Sequence, residues 1–262
     1  MKRLPNTGDK LIPGLFFLLL LLFWQLAVTL RWVPDFILPA PLGIVHTLAA
    51  IAPEIAVHVG TTLREAFYGF TLAVGLAVIL ALGMDLSAVL RKALYPLLIV
   101  SQTIPTLILA PLFALWFGFG ELPKILVVVL TCFFPIVISL SDGFNSIDPD
   151  MLNLFRSMGA KRGQIFLQLK LPAAFINFFS GLRIAAAYCI IGAVVAEWLG
   201  GETGLGVYMI RVRHSYDLEK VFATVLIIVA LSLVMFQLIA ALQYLLMPWN
   251  RSRNQKKGEE IQ

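Results

Sequence analysis

Charge is what this sequence has least of. Among 262 residues only 13% are Asp, Glu, Lys or Arg, while 60% are hydrophobic and the mean hydropathy is +0.90. A soluble domain carries roughly a quarter charged residues and just under half apolar ones, so composition disfavours disorder, nucleic-acid binding and a water-soluble enzyme. Cysteine is nearly absent. Cys132 and Cys189 both lie inside apolar stretches, which argues against a disulfide framework or a zinc site. The three histidines, His46, His58 and His214, stand at spacings that fit no metal motif, and each reads as a surface or interfacial side chain. No phosphate-binding Gly-x-x-x-x-Gly-Lys-Ser/Thr motif occurs, so the chain is not itself an ATPase, and no nucleophile or metal set marks an enzyme. A spanning carboxylate chain, a basic gating stripe and a selectivity-filter repeat are also missing, which weakens an ion-coupled secondary transporter and a channel.

What is present is a series of long apolar runs. A bilayer crossing needs about 20 apolar residues, and runs of spanning length occur at 11–30, 62–84, 94–117, 124–141, 178–199 and 221–246. The fold class is therefore an all-α membrane protein of about six transmembrane helices. The first run exceeds a signal-peptide core and has no small-residue cleavage site, so it reads as an uncleaved span. Between the first two runs, 42–51 is modestly amphipathic and expected to lie along the membrane surface. The chain divides into three parts: an anchor helix with an extracytoplasmic segment (1–56), a membrane domain (57–246) with a polar loop at 142–177, and a basic tail (247–262).

Lys and Arg set the orientation. With the amino terminus cytoplasmic, the inside segments hold Lys2, Arg3, Lys10, Arg91, Lys92, Arg156, Lys161, Arg162, Lys170, Arg251, Arg253, Lys256 and Lys257. The outside segments hold Arg31, Lys124, Arg211, Arg213 and Lys220. The excess inside predicts two cytoplasmic termini and a cytoplasmic polar loop.

That loop opens Ser146-Ile147-Asp148-Pro149-Asp150, in which Asp148 caps a helix, Pro149 suits its first turn and Asp150 meets the positive end of the dipole. The helix is expected to run to Met158, with Gly159 as the left-handed residue that stops it. A second short helix over 161–170 carries Ile165, Phe166 and Leu169 on one face, and Leu171-Pro172 is expected to end it. The product is a helix-turn-helix with an exposed apolar face, which by spacing alone suits either a headgroup-level segment or a protein-docking element.

The third run holds Pro96, Pro105 and Pro111 beside Ser101, Gln102, Thr103 and Thr106. An interior proline frees a carbonyl, which membrane depth tolerates if it faces protein or a water-filled cavity. Two readings stand: a helix lining a translocation path through Gln102, Thr103, Pro105 and Thr106, or a kinked packing helix. Glu197, near the outer end of the fifth run, is expected to serve a structural or gate-forming role at the outer mouth. Arg183, nearer the inner end, is expected to snorkel to the cytoplasmic surface.

The run Gly159-Ala160-Lys161-Arg162-Gly163-Gln164-Ile165-Phe166 followed by Leu171-Pro172 resembles the cytoplasmic loop of permease subunits of binding-protein-dependent ABC importers. That family has Gly, then Phe seven residues on, then Leu-Pro at twelve and thirteen. Its usual Glu-Ala-Ala is Asn153-Leu154-Phe155 here, and the proline often found four residues after Leu-Pro is Ile176. Other fragments are similar to the branch that handles sulfonates, taurine, nitrate and pyrimidine precursors of thiamine: Ile37-Leu38-Pro39-Ala40-Pro41, Gln102-Thr103-Ile104-Pro105, Trp116-Phe117-Gly118-Phe119-Gly120-Glu121, Gly181-Leu182-Arg183-Ile184-Ala185 and Gly204-Leu205-Gly206.

The resemblance implies a type I importer permease fold in a bacterial cell membrane. It implies a second permease copy, two cytoplasmic ATPase subunits that use the ATP, and an extracytoplasmic solute-binding protein, with no cofactor on this chain. It makes Phe155, Gly159, Ala160, Ile165, Phe166, Leu171 and Pro172 the ATPase-coupling residues. The segments Glu197-Trp198-Leu199-Gly200-Gly201 and His214-Ser215-Tyr216-Asp217 look closer to the pyrimidine branch (formylaminopyrimidine or hydroxymethylpyrimidine) than to sulfonate, taurine or nitrate carriers.

Overall fold

Proline and small residues decide where the helices begin, break and touch. The computed structural model describes residues 7–248, and within them the regular structure is entirely helical. Helix α1 (Thr7–Thr29) is followed by α2 (Pro41–Leu86), α3 (Ala88–Ser101), α4 (Thr106–Phe117) and α5 (Glu121–Asn145). Two short helices, α6 (Pro149–Ser157) and α7 (Arg162–Ile165), precede a π-turn at Phe166–Lys170. Then come α8 (Leu171–Glu197), α9 (Leu205–His214) and α10 (Leu218–Leu246). Lys2, Arg3 and the basic tail residues Arg251, Arg253, Lys256 and Lys257 lie outside the described residues.

Among the described residues five helices are long and apolar enough to cross a bilayer. The remaining expected span is divided, because Pro105 (φ −63°, ψ 118°) interrupts the run and leaves α3 and α4 joined through Gln102–Pro105. The stretch 42–51 does not lie separately on the surface. It forms the first turns of α2, whose 46 residues extend about 69 Å at 1.5 Å each, and residue 56 falls inside that helix. Ile44, Ile51, Ile55, His58 and Thr62 are buried at helical spacing, and Thr47 donates to Glu219 of α10 at 2.6 Å. This buried face overrides the amphipathic surface reading, and α2 runs on through Pro53.

Helices α2, α5 and α8 form the core. Ala66, Ala73, Ala77 and Ala81 of α2 are buried, as are Cys132 and Ile136 of α5 and Ala185, Cys189 and Ala193 of α8. Both cysteines are free. Close approach depends on small residues: a Cβ at Gly181 would stand 2.8 Å from the Pro135 carbonyl and from Ser139. Helices α1 and α10 turn long apolar side chains outward, as lipid-facing helices do; Phe16 and Leu233 are more than half exposed.

Candidate functional site

Three features stand along this core, and the first is a cleft at the broken helix. Gln102, Thr103, Ile104, Pro105 and Thr106 line it with Leu130, Thr131, Phe134 and Pro135 of α5 and Tyr188 of α8, enclosing about 320 Å³. All four path residues read from the sequence therefore share one space, and Thr131 and Tyr188, which the sequence pattern did not reveal, complete it. Thr103 Oγ1 donates to the Val100 carbonyl at 2.7 Å and Thr131 Oγ1 to the Val127 carbonyl at 2.8 Å, so each hydroxyl oxygen keeps accepting capacity. Pro135 lacks the N–H that would otherwise bind the Thr131 carbonyl. None of the lining residues is charged, and Phe134 and Tyr188 add aromatic rings. Such a volume with few polar groups on apolar walls is the low end of small-molecule sites.

The second feature is a buried polar network at the opposite end of α8 from its proline. Glu197 is 1% exposed. Its Oε1 accepts from the Thr62 hydroxyl at 2.6 Å and its Oε2 from the Gly206 N–H at 2.6 Å. Thr62 Oγ1 in turn accepts the Leu205 N–H at 2.9 Å, and the Gly204 N–H donates to His58 Nδ1 at 3.0 Å. Alongside, Lys124 of α5 donates to Glu65 Oε1 of α2 at 2.9 Å with both side chains buried, while Glu65 Oε2 has no protein partner.

Glu197, expected near the outer end of its run, is enclosed by protein. Three expectations change here. Lys124 is a buried partner rather than a loop cation, and His58 is a buried acceptor rather than a surface or interfacial residue. Arg183 stands half-buried in the middle of α8, because that helix begins earlier than its apolar run. The available signal was two charge pairs at the starts of apolar runs, Arg64-Glu65 and Glu121 with Lys124, since charges inside spans are usually paired.

The third feature is the polar connection. Asp148 caps α6 by accepting from Asp150 N at 2.9 Å, and Gly159 (φ +79°) ends the turn after it, as expected. Beyond Gly159 the chain departs from the expected course. Leu171-Pro172 does not end a helix but opens α8. The π-turn passes the chain through this point, with Leu171 N donating to the Phe166 carbonyl, so that Pro172 needs no donor in its first turn. The apolar face of the second helix points inward: Ile165 is 8% exposed and Phe166 lies 5.9 Å from the Phe144 ring. The exposed apolar side chains are instead Met151, Leu154 and Met158 of the first helix and its cap, with Leu167. Phe155 and Ala160 are half-buried between the two. Lys170 at the end of the π-turn pairs with Asp85 of α2 at 2.6 Å, and Tyr95 of α3 donates to Asp142 of α5 at 2.6 Å.

Residues 73–249 match the family described as binding-protein-dependent transport system inner membrane component. The chain is 37% identical over 254 residues to the formylaminopyrimidine transport permease protein ThiX of Halalkalibacterium halodurans, covering 97% of this chain and 100% of that protein. It is 35% identical over 237 residues to the riboflavin transport system permease protein RibX of Chloroflexus aurantiacus (90% and 88% covered). With the taurine transport system permease protein TauC of Escherichia coli it shares 28% over 238 residues (88% and 86%).

Proposed function

The chain belongs to the binding-protein-dependent transport system inner membrane components, the permeases of ABC importers, and from that premise we propose that it carries a pyrimidine precursor of thiamine into the cell. It is a multi-pass membrane transporter rather than an enzyme. The observation that carries the substrate class is the cleft at Gln102–Thr106, whose lining offers neutral donors and acceptors and two aromatic rings but no cation. An uncharged heterocycle is satisfied by such walls, whereas a sulfonate or nitrate anion would enter without a counter-charge. The names of two relatives, one for formylaminopyrimidine and one for riboflavin, point the same way, and the taurine relative is less similar.

In this reading two copies of the permease enclose the path, with both termini cytoplasmic. A solute-binding protein delivers substrate outside, and two ATPases dock on the connection between α5 and α8. Met151, Leu154 and Met158 supply the apolar contact, Gly159 the turn, and Ile165 and Phe166 the anchor that ties the docking element to the core. Coupling then requires an ATPase groove that prefers one arrangement of this element over another.

Uptake of labelled hydroxymethylpyrimidine into cells expressing the whole transporter tests the substrate. Accumulation that excess taurine does not compete is expected. Taurine uptake, with the pyrimidine ignored, would overturn the substrate class and leave the importer reading standing.

A further inference from the structure

The segment joining α8 to α9 is held more by hydrogen bonds than by buried apolar side chains. Trp198, Gly201 and Glu202 are exposed and Leu199, Gly200 and Thr203 half-buried; Leu199 packs against Ala110, Val127 and Ala196, and the Thr61 hydroxyl donates to Thr203 Oγ1 at 3.1 Å. Its far end is fastened by three consecutive backbone N–H groups, those of Gly204, Leu205 and Gly206, received by His58, Thr62 and Glu197. Glu197 alone joins three helices: it terminates α8, accepts from Thr62 of α2 and accepts from Gly206 of α9. The middle of the segment lies over the turn between α4 and α5, with the Phe119 ring against Gly200 and the Lys124 ammonium group against Gly201. Between the two loops remains a space of only about 10 Å³, at or below what one water occupies. Both loops are jointed by glycines at positive φ, Gly118 at +83° on one side and Gly200, Gly201 and Gly204 at +151°, +143° and +130° on the other.

Along α5, Thr131 in the cleft lies seven residues, about 10 Å, below Lys124 at this contact. The two loops therefore pack on each other about two helical turns along α5 from the cleft. Local opening is drawn from segments with few buried contacts and conformationally permissive joints, and this segment has both properties.

We propose that residues 198–204 are the outer gate of the path and that Glu197 is its latch, with Thr62 the keeper on α2. The inference rests on reading the cleft as the path. Opening breaks the Thr62 and Gly206 hydrogen bonds of Glu197 and swings the segment about its glycines away from Phe119. Glu197 and Thr62 act as positioning residues, since neither faces the cleft.

The test uses the assembled transporter in right-side-out vesicles without nucleotide, with Thr103→Cys as reporter and a membrane-impermeant thiol reagent added outside. Native Cys132 and Cys189 have no exposed surface and report on the integrity of the core. In the otherwise native chain the reporter reacts slowly. Glu197→Ala, or the near-isosteric Thr62→Val, raises its rate about tenfold or more, as losing buried hydrogen bonds from the closed state demands. Glu197→Gln, which keeps a carbonyl acceptor, stays near the native rate, and Cys132 and Cys189 remain unreactive in every variant. An unchanged reporter rate in both Glu197→Ala and Thr62→Val overturns the latch, and so does acceleration accompanied by labelling of Cys132 or Cys189, which would mean a loosened fold. If Thr103→Cys reacts from neither side in any nucleotide state, the path reading itself fails and the gate with it.

Discussion

Removing Lys124 alone should damage this protein more than removing Lys124 and Glu65 together. The pair is closed at 2.9 Å, with side-chain exposures of 8% for Lys124 and 0% for Glu65. Lys124→Met leaves the Glu65 carboxylate enclosed with neither oxygen bonded, since Oε2 already lacks a protein partner. Breaking one side of a buried ion pair costs about 3–5 kcal/mol, because the remaining charge has lost both water and its partner. A chain of this size moves about 2–4 °C in midpoint per kcal/mol, so a fall of roughly 6–20 °C is expected. Glu65→Leu with Lys124→Met removes both charges at similar volume, and such replacements are often neutral or stabilising.

The assay is thermal unfolding of the detergent-purified protein, followed by the fluorescence of its five tryptophans. Arg64→Met is the internal control. Arg64 pairs with Glu121 at about half exposure on both sides, where loss is worth about 0–1 kcal/mol. If Lys124→Met behaves like Arg64→Met, or if the double variant is as unstable as the single one, the buried-pair argument is refuted.

The connection between α5 and α8 offers further tests. Gly159→Val places a β-branched residue at φ +79° with open space around it, so only backbone strain of about 1–2 kcal/mol acts; ATPase co-purification and uptake are both expected to fall, and wild-type values of both would refute the docking role of this turn. Phe166→Ala should lower the unfolding midpoint through a loss of about 2 kcal/mol, since its ring is half-buried against Phe144. Met158→Glu, at an exposed position, should leave the midpoint within the ±0.5 kcal/mol usual for surface changes while reducing ATPase capture. Lys170→Asp and Asp85→Lys should each lower the substrate moved per ATP hydrolysed, and the double exchange should restore that ratio by remaking the 2.6 Å pair; failure of the exchange to restore it would show that the pair does not transmit motion.

Much of the connection between α5 and α8 was legible because its signals are local. An Asp-Pro-Asp cap and a glycine in the left-handed region act within one turn of chain, and both stand where the sequence placed them. Which face of the next helix is exposed was not legible. Ile165, Phe166 and Leu169 form an apolar stripe whether it meets an ATPase or the end of α5, and only the packing of Phe166 on Phe144 distinguishes the two. The same holds for Leu171-Pro172. Proline ends or begins a helix according to the turn before it, and the π-turn decides for a beginning.

By itself the sequence determined that this is a helical membrane permease. Runs of about 20 apolar residues, prolines in the third run and a fragment series resembling importer permeases are all one-dimensional signals. Tertiary structure alone decided which of its few polar groups meet. Thr62, Glu65, Lys124, Glu197 and the N–H groups of residues 204–206 come from four helices, brought into register where α2, α5 and α8 approach on buried alanines and Gly181. No local pattern encodes the rotation of one helix against another. In a chain so poor in charge that rotation separates a stranded ion from a paired one, and so decides whether Glu197 stands at the surface or is enclosed between α2, α8 and α9.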